Sequence, residues 1–410
     1  MFAICYLLVM VISLVIFAFI DLNLNKKILI AALLFAIFAL IIIPKDNGTV
    51  DATKYFSFLE NIRHARQEGG QIMAWQMVNN NTMTLNLKPS GMAVPDALSF
   101  GATPVMGLIM LIMSYFPNEL LMALVTFADY FFAMKIIQIV VEKNKLSKWY
   151  FCCTYLIFCC LFAYSVAVGG IRNNFVGTAF AYAALRYLEK KKPFFSWATI
   201  ELFAVTLLLS LIHQFTLILF ALFFLVVVFN RYKIIMRILD IMMFGQSIFQ
   251  DFFLSLIGPL GGIPFFASIL FKSNQYLGNN ATIHISSTAN LVRDVARLVI
   301  LLLIFLVVRK FSSDLIDLRY NEFIILLFCF IIGSFKDQLL FERCLLVMLP
   351  IMLPYITILL VAVRHYDLRN PESARAVALN LSLIFLFLFA IICLSDNLRA
   401  GSTYYYFLWS

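Results

Sequence analysis

Residues 197–229 read WATIELFAVTLLLSLIHQFTLILFALFFLVVVF, with Lys190, Lys191 and Lys192 before them and Arg231, Lys233 and Arg237 after. As one helix this stretch would be about 50 Å long at 1.5 Å per residue, against a hydrocarbon core of about 30 Å. Basic residues concentrate on the cytoplasmic side of membrane helices, and here they flank both ends. Both facts are met if the chain reverses at His213-Gln214, so that two short crossings begin and end at one face. The reversal, with His213 in it, then lies at the opposite face.

Similar apolar runs recur near 2–20, 28–43, 119–142, 149–168, 171–188, 198–212, 215–229, 234–256, 290–308, 322–336, 344–363 and 376–395. Of the 410 residues, 63% are hydrophobic and 13% charged. Soluble domains run at about 45–50% apolar and about 25% charged, so this composition excludes a soluble fold. It predicts an all-α polytopic integral membrane protein, a single unit over 1–410. Residues 100–116 form a further apolar run ended by Pro117. It is a re-entrant or an extra helix; treating it as re-entrant places the basic clusters at 26–27, 143–148, 190–192, 231–237, 309–319 and 364–375 all in the cytoplasm, whereas treating it as a crossing breaks that pattern. The expectation is about twelve transmembrane helices with both termini extracytoplasmic. Phe2 to Ile20 lacks a basic n-region and a small-residue cleavage site, and reads as a retained first span.

Two extracytoplasmic loops are large, 44–99 and 257–289. The first holds an amphipathic stretch from Asp51 to Arg66, with Tyr55, Phe58, Leu59 and Ile62 at helical spacing, expected to lie along the membrane surface. Three Asn-x-Thr triplets, at Asn47, Asn80 and Asn280, are common by chance in Asn-rich loops and are set aside.

The net charge of +9 resides mostly in the basic loops and does not predict nucleic-acid binding. The eight cysteines lie in or beside apolar runs. Cys152, Cys153, Cys159 and Cys160 share one helix face without His or carboxylate, so they read as small buried hydrophobes rather than metal ligands. There is no phosphate-binding Gly-rich loop, no dinucleotide fingerprint, no zinc motif and no Asp-x-Asp pair; Asp314 and Asp317 have the wrong spacing. No metal and no cofactor is expected.

The ionisable residues at the predicted outer face carry the chemistry. Arg172 stands in Gly169-Gly170-Ile171-Arg172-Asn173-Asn174, at the start of an apolar run. It is either an interfacial arginine that snorkels to headgroups or a phosphate clamp, since guanidinium presents a planar fork of donors and a helix N-terminus favours anions. Asn173 and Asn174 can bond sugar hydroxyls. His213 is a satisfied core group or a base, with an ordinary pKa of about 6.5 suited to proton transfer. Arg293 and Arg297 share a face, with Asp294 placed to pair with Arg297 at i, i+3. Asp337, Glu342 and Arg343 form a short outer turn, read as a local ion-pair network or as a further cation with a candidate base. Asp51 and Tyr55 are a solvated face or part of the same site. Asp129, in the middle of a span, should face the bundle interior, with Lys135 or an arginine as its expected partner.

Taken together, these elements resemble the EpsG/Wzy family of polysaccharide polymerases, best over residues 1–230. The resemblance rests on two opening spans, Asp51-x-x-x-Tyr55 in the first outer loop and Ile171-Arg172-Asn173 with an Ala-rich continuation. A Lys-rich inner loop and the hairpin at His213 complete it, and Arg343 matches a further family arginine. Asn173 stands where the family commonly has Gln, and Val50 and Ala52 replace the usual neighbours of Asp51. The resemblance implies a GT-C-like bundle that is a glycosyltransferase of a bacterial inner membrane, acting at the outer leaflet in O-antigen or lipopolysaccharide assembly. Its donor would be a growing glycan on undecaprenyl pyrophosphate and its acceptor a repeat unit on the same carrier. Arg172, Arg343, Arg293 and Arg297 would hold pyrophosphate. His213, with Asp51 and Asp337 behind it, would serve as base. Asn173, Asn174 and Tyr55 would contact the acceptor. Other partners would be membrane lipid and a chain-length regulator and flippase of the same pathway. The rival readings are a lipid-linked oligosaccharide flippase, which needs cations along a path open to both faces, and a membrane O-acyltransferase, for which His213 lies at the wrong face.

Overall fold

Two helices open the chain as an antiparallel pair, α1 (Phe2–Phe19) and α2 (Leu24–Leu40). The Asn23 side chain caps α2 by accepting a hydrogen bond from the Lys26 amide at 2.9 Å. Lys27 is buried one residue later, and its Nζ donates to Phe17 O at 3.0 Å, which gives one of its three protons an acceptor at the end of α1. The structure, a computed structural model, describes residues 1–45, 51–79, 103–162, 164–190, 196–246, 259, 288–335, 338–367 and 374–408.

The remaining helices are α3 (Asp51–Asn79), α4 (Pro104–Met113), α5 (Asn118–Lys143), α6 (Lys148–Leu161), α7 (Tyr164–Gly169), α8 (Asn173–Glu189), α9 (Trp197–Ser210) and α10 (Phe215–Phe229). They continue as α11 (Lys233–Phe244), α12 (Thr288–Ser312), α13 (Leu318–Gly333), α14 (Gln338–Asp367) and α15 (Ala374–Tyr404). Among the described residues four stretches are long and apolar enough to cross a membrane: α1, α5, Leu340–Arg364 within α14, and α15. The hairpin expected at His213-Gln214 is present, since α9 stops at Ser210 and α10 starts at Phe215.

Among the described residues the chain is helical as expected, with one short pairing of strands added. After α2 the chain forms a short strand, β1 (Ile42–Pro44), which pairs antiparallel with β2 (Tyr405–Phe407) behind α15. The apolar run predicted to reach residue 43 therefore ends as a helix at Leu40, and its last residues tie the first hairpin to the C-terminal segment. The run predicted as one span over 149–168 is also divided. α6 ends at Leu161 because Phe162 turns to extended backbone (φ −82°, ψ 107°), and α7 follows as a separate short helix.

Side-chain contacts identify which helix ends lie together. Lys135 Nζ bonds Asn25 Oδ1 at 2.6 Å, Lys148 Nζ reaches Ala18 O at 3.2 Å and Lys143 pairs with Glu189 at 2.7 Å. Lys190 pairs with Glu201, Arg237 and Arg309 share Glu322, and Arg319 holds Asp317 at 2.9 Å. These residues mark one end of the bundle, the lysine end. The opposite ends of the same helices also meet: Asn118 at the start of α5 bonds Glu60 of α3 at 3.0 Å, and Arg293 at the start of α12 faces Asp396 of α15 at 3.9 Å.

At that second end, α3 and α4 form a layer across the bundle. The apolar positions Tyr55, Leu59 and Ile62 of α3 are all buried, as their helical spacing predicts. Beyond Glu68 the helix bends at Gly69-Gly70, where Gly70 takes φ +70°, a left-handed conformation that favours glycine. α4 has ten residues, about 15 Å, half of a hydrocarbon core. Its C-terminal carbonyls are capped by α3: Arg63 Nε donates to Ser114 O at 3.0 Å, and Arg66 donates to Ser114 Oγ at 2.6 Å while stacking on Tyr115 at 3.8 Å. Cations at a helix C-terminus offset its partial negative charge. At the other end of α4, the Met106 amide donates to Leu211 O in the α9–α10 turn at 3.4 Å.

Candidate functional site

α8 is preceded by Gly170-Ile171-Arg172, which turns the chain out of α7, and Arg172 occupies the N-cap position. Its guanidinium carbon lies 5.6 Å from the centre of the Tyr55 ring, within cation–π range. Tyr55 is only 4% exposed, so the sequence reading of a solvated face is corrected: α3 turns this residue inward, beneath Arg172.

The next two residues supply oxygens. Asn173 Oδ1 and Asn174 Oδ1 are both shielded from solvent, and neither has a hydrogen-bond partner among the described residues. A buried amide oxygen left unpaired costs about 1–3 kcal/mol, so such groups in a cleft point to a ligand that satisfies them. Asn174 lines a narrow crevice of about 10 Å³, room for about one water molecule, together with Arg297 on the polar side and Phe162, Leu345 and Leu349 on the apolar side.

Three helices that run the same way converge there. α8, α12 and α14 each start at the Arg172 end and run toward the lysine end. α8 and α14 touch closely at Gly177, where a Cβ would lie 2.6 Å from Val347 Cγ2. Only glycine lets the two backbones approach so far. One helical turn back from this contact lies Asn173 on α8 and Arg343 on α14, which places the two at the same level. Arg343 therefore belongs with Arg172, Asn173, Asn174 and Arg297 at one end of the molecule.

Arg297 is the more enclosed of the α12 pair, its side chain 11% exposed, and it bonds Asp294 at 3.4 Å as the i, i+3 spacing predicts. Arg293 is 36% exposed and is shared between Asp294 and Asp396, each at 3.9 Å. Asp396 has no sequence signal as a partner, because it comes from a helix about a hundred residues later. The two arginines and the two carboxylates thus form one chain of ion pairs that links α12 to α15.

His213 takes a role that its sequence does not announce. Its Nδ1 accepts the Phe215 amide at 3.1 Å and so caps the start of α10. With the Nδ1 lone pair used in this way, a neutral imidazole carries its proton on Nε2. In this geometry His213 offers a hydrogen-bond donor rather than a base. Of the two carboxylates also expected as bases, Asp51 begins α3 but its side chain lies outside the described residues, as does Asp337 altogether.

Asp129 is fully buried in α5, as expected for an ionisable residue within a span. Among the described residues no cation bonds it. Lys135 bonds Asn25 and Gln138, and Asp129 bonds the hydroxyl of Thr178 at 3.1 Å. Among the described residues no group of three or more metal-binding side chains occurs. No protein family, curated protein or solved structure matches the chain.

Proposed function

We propose that the chain is a Wzy-type polymerase: a membrane glycosyltransferase that moves a growing glycan from undecaprenyl pyrophosphate onto a lipid-linked repeat unit at the outer face of a bacterial inner membrane. On this reading about twelve helices cross the bilayer, the lysine end is cytoplasmic, and α4 dips in and out on the outer side. The observation that carries the reading is the gathering of Arg172, Arg297 and Arg343 with the unsatisfied oxygens of Asn173 and Asn174 at the end remote from the lysines.

The chemistry asks little beyond electrostatics. The acceptor hydroxyl oxygen forms a bond to the anomeric carbon of the donor sugar, while the bond from that carbon to the pyrophosphate oxygen breaks. Undecaprenyl pyrophosphate leaves with the electron pair. Fixed guanidinium groups in a dry site stabilise the charge that builds on it. The hydroxyl proton passes to a carboxylate, for which Asp51 and Asp337 are the candidates, and His213 Nε2 donates to a sugar or phosphate oxygen. Asn173 and Asn174 accept from sugar hydroxyls.

The test is reconstitution of the purified chain with a repeat unit on undecaprenyl pyrophosphate and no nucleotide. A ladder of longer glycans with release of undecaprenyl pyrophosphate supports the proposal. Movement of the substrate between leaflets without any extension assigns the chain as a flippase instead.

A further inference from the structure

Two helices begin beside one another where α4 meets the α9–α10 turn. Thr103 is the N-cap of α4 and Gln214 the N-cap of α10, and neither side chain bonds an amide of its own helix. The Met106 amide, in the first turn of α4, donates to Leu211 O, three residues before Gln214. Leu211 closes α9, so this bond also takes up a carbonyl at that helix's negative end. The positive ends of α4 and α10 are thereby brought together, and neither first turn holds an acidic residue.

Three side-chain groups at this junction have no hydrogen-bond partner among the described residues. Thr103 Oγ1 is one, on a residue only 2% exposed. Thr216 Oγ1, in the first turn of α10, is another, and that residue is wholly buried. The third is Gln214 Nε2, which is shielded from solvent and can only donate. A threonine inside a helix can return its hydroxyl to a carbonyl one turn back, as Thr178 does to Asn174 O at 2.8 Å; Thr216 does not. Measured from the lysine end, α9 has 14 residues and α10 has 15, about 21–23 Å against a hydrocarbon core of about 30 Å. Unpaired hydroxyl and amide groups at such a depth are costly, and they mark a place that a ligand fills.

We propose that this junction is a second anion site, in which Thr103, Thr216 and Gln214 donate to the oxygens of a pyrophosphate group. It deepens the function proposed above and rests on it only in saying whose pyrophosphate is bound. Transfer brings together two lipid-linked pyrophosphates. The donor's departs and gains charge as it does so, which calls for the fixed guanidinium groups around Arg172. The acceptor's stays joined to its own sugar, and its charge does not change in the step. It has to be held rather than stabilised, and neutral donors at two helix N-termini are enough for that. His213, assigned above as a donor to a sugar or phosphate oxygen, stands in the same turn, between Leu211 and Gln214.

Equilibrium binding of undecaprenyl pyrophosphate to the purified chain in maltoside detergent tests this. The parent is expected to bind two equivalents. Arg172→Ala should weaken one of them, and Thr103→Val combined with Gln214→Leu should weaken the other by about ten-fold or more, the usual worth of hydrogen bonds to a charged group. Thr103→Val keeps the side chain's shape and breaks no cap bond. If the double variant does not elute like the parent on size-exclusion, this single variant decides, with a loss of about ten-fold expected. Two equivalents left unchanged by these substitutions, or a single equivalent sensitive to Arg172→Ala alone, overturns the proposal. Equal affinity for undecaprenol, which has the tail without the phosphates, overturns it too. Inorganic pyrophosphate identifies the source of the anion: weaker binding than the lipid, with the same loss in Thr103→Val, assigns a lipid headgroup, and equal binding assigns a free phosphate compound. A chain that binds both equivalents but extends no glycan keeps this site and loses the polymerase reading.

Discussion

The two ends of the bundle handle positive charge in opposite ways. At the lysine end each basic residue considered meets an acid or a carbonyl: Lys143 with Glu189, Lys190 with Glu201, Arg319 with Asp317, and Arg237 and Arg309 around Glu322. At the other end Arg297 bonds Asp294, Arg293 lies between Asp294 and Asp396, Arg172 faces the Tyr55 ring among its contacts, and the shielded oxygens of Asn173 and Asn174 have no donor among the described residues. The first pattern is that of a surface that anchors and orients. The second, on the function proposed above, is where an anion with hydroxyl groups around it would bind.

Breaking the second end should have the largest effect. Arg172→Ala is expected to leave the protein inserted while transfer falls by about 10²–10³-fold, the usual loss when one fixed charge-stabilising donor is removed. Arg172→Lys should recover only part of this, because an ammonium lacks the planar fork. The measurement is glycan extension per mole of membrane-inserted protein. Normal extension by Arg172→Ala would remove the clamp from the account.

The register that aligns Asn173 with Arg343 can be tested next. Gly177→Ala forces a methyl against Val347 and should destabilise the fold by about 1–3 kcal/mol, the usual range for overpacking. Because the two residues touch, Val347→Ala introduced together with it should restore much of the loss, a coupling that a thermal melt in detergent would record. Additive losses would mean that α8 and α14 do not meet at this point.

The smallest effect is expected at the lysine end. Burial raises the pKa of Asp317, but this is outweighed by the Arg319 side chain and backbone amide that bond it, so its carboxyl is held below its usual range. A carboxyl lowered in the folded state stabilises the protein above the unfolded value of about 3.9, and that contribution is lost as pH falls through the folded value. Asp317→Asn keeps a capping side chain on α13 but removes the charge that Arg319 bonds, and should cost about 0.5–1 kcal/mol near neutrality. The difference from the parent should shrink as pH is lowered below the carboxylate range. A difference independent of pH would show that the charge contributes nothing.

The same contrast explains what could be read from the chain alone. The hairpin at His213-Gln214 was legible because length and flanking charge both constrain it, and the Arg297–Asp294 bond because it is local. The amphipathic face of α3 was legible from its spacing. The pairing of β1 with β2 was not, since its partners are separated by most of the chain and each is only three residues long. Asp129 was recognised as buried, yet its partner is a neutral threonine on another helix, and cross-helix hydroxyls leave no periodic trace. The shared level of Asn173 and Arg343 depends in turn on Gly177, whose importance lies in the missing side chain rather than in any motif.

The claim on which the account turns is that the arginine end faces away from the cytoplasm and is shared by all its candidate residues. Single cysteines introduced into a cysteine-free chain as His213→Cys, Arg343→Cys and Lys143→Cys, exposed to a membrane-impermeant thiol reagent, test it most directly. The account predicts that the first two label from outside in spheroplasts with intact inner membranes and the third only after permeabilisation. Labelling of positions 213 and 343 from opposite sides would contradict it.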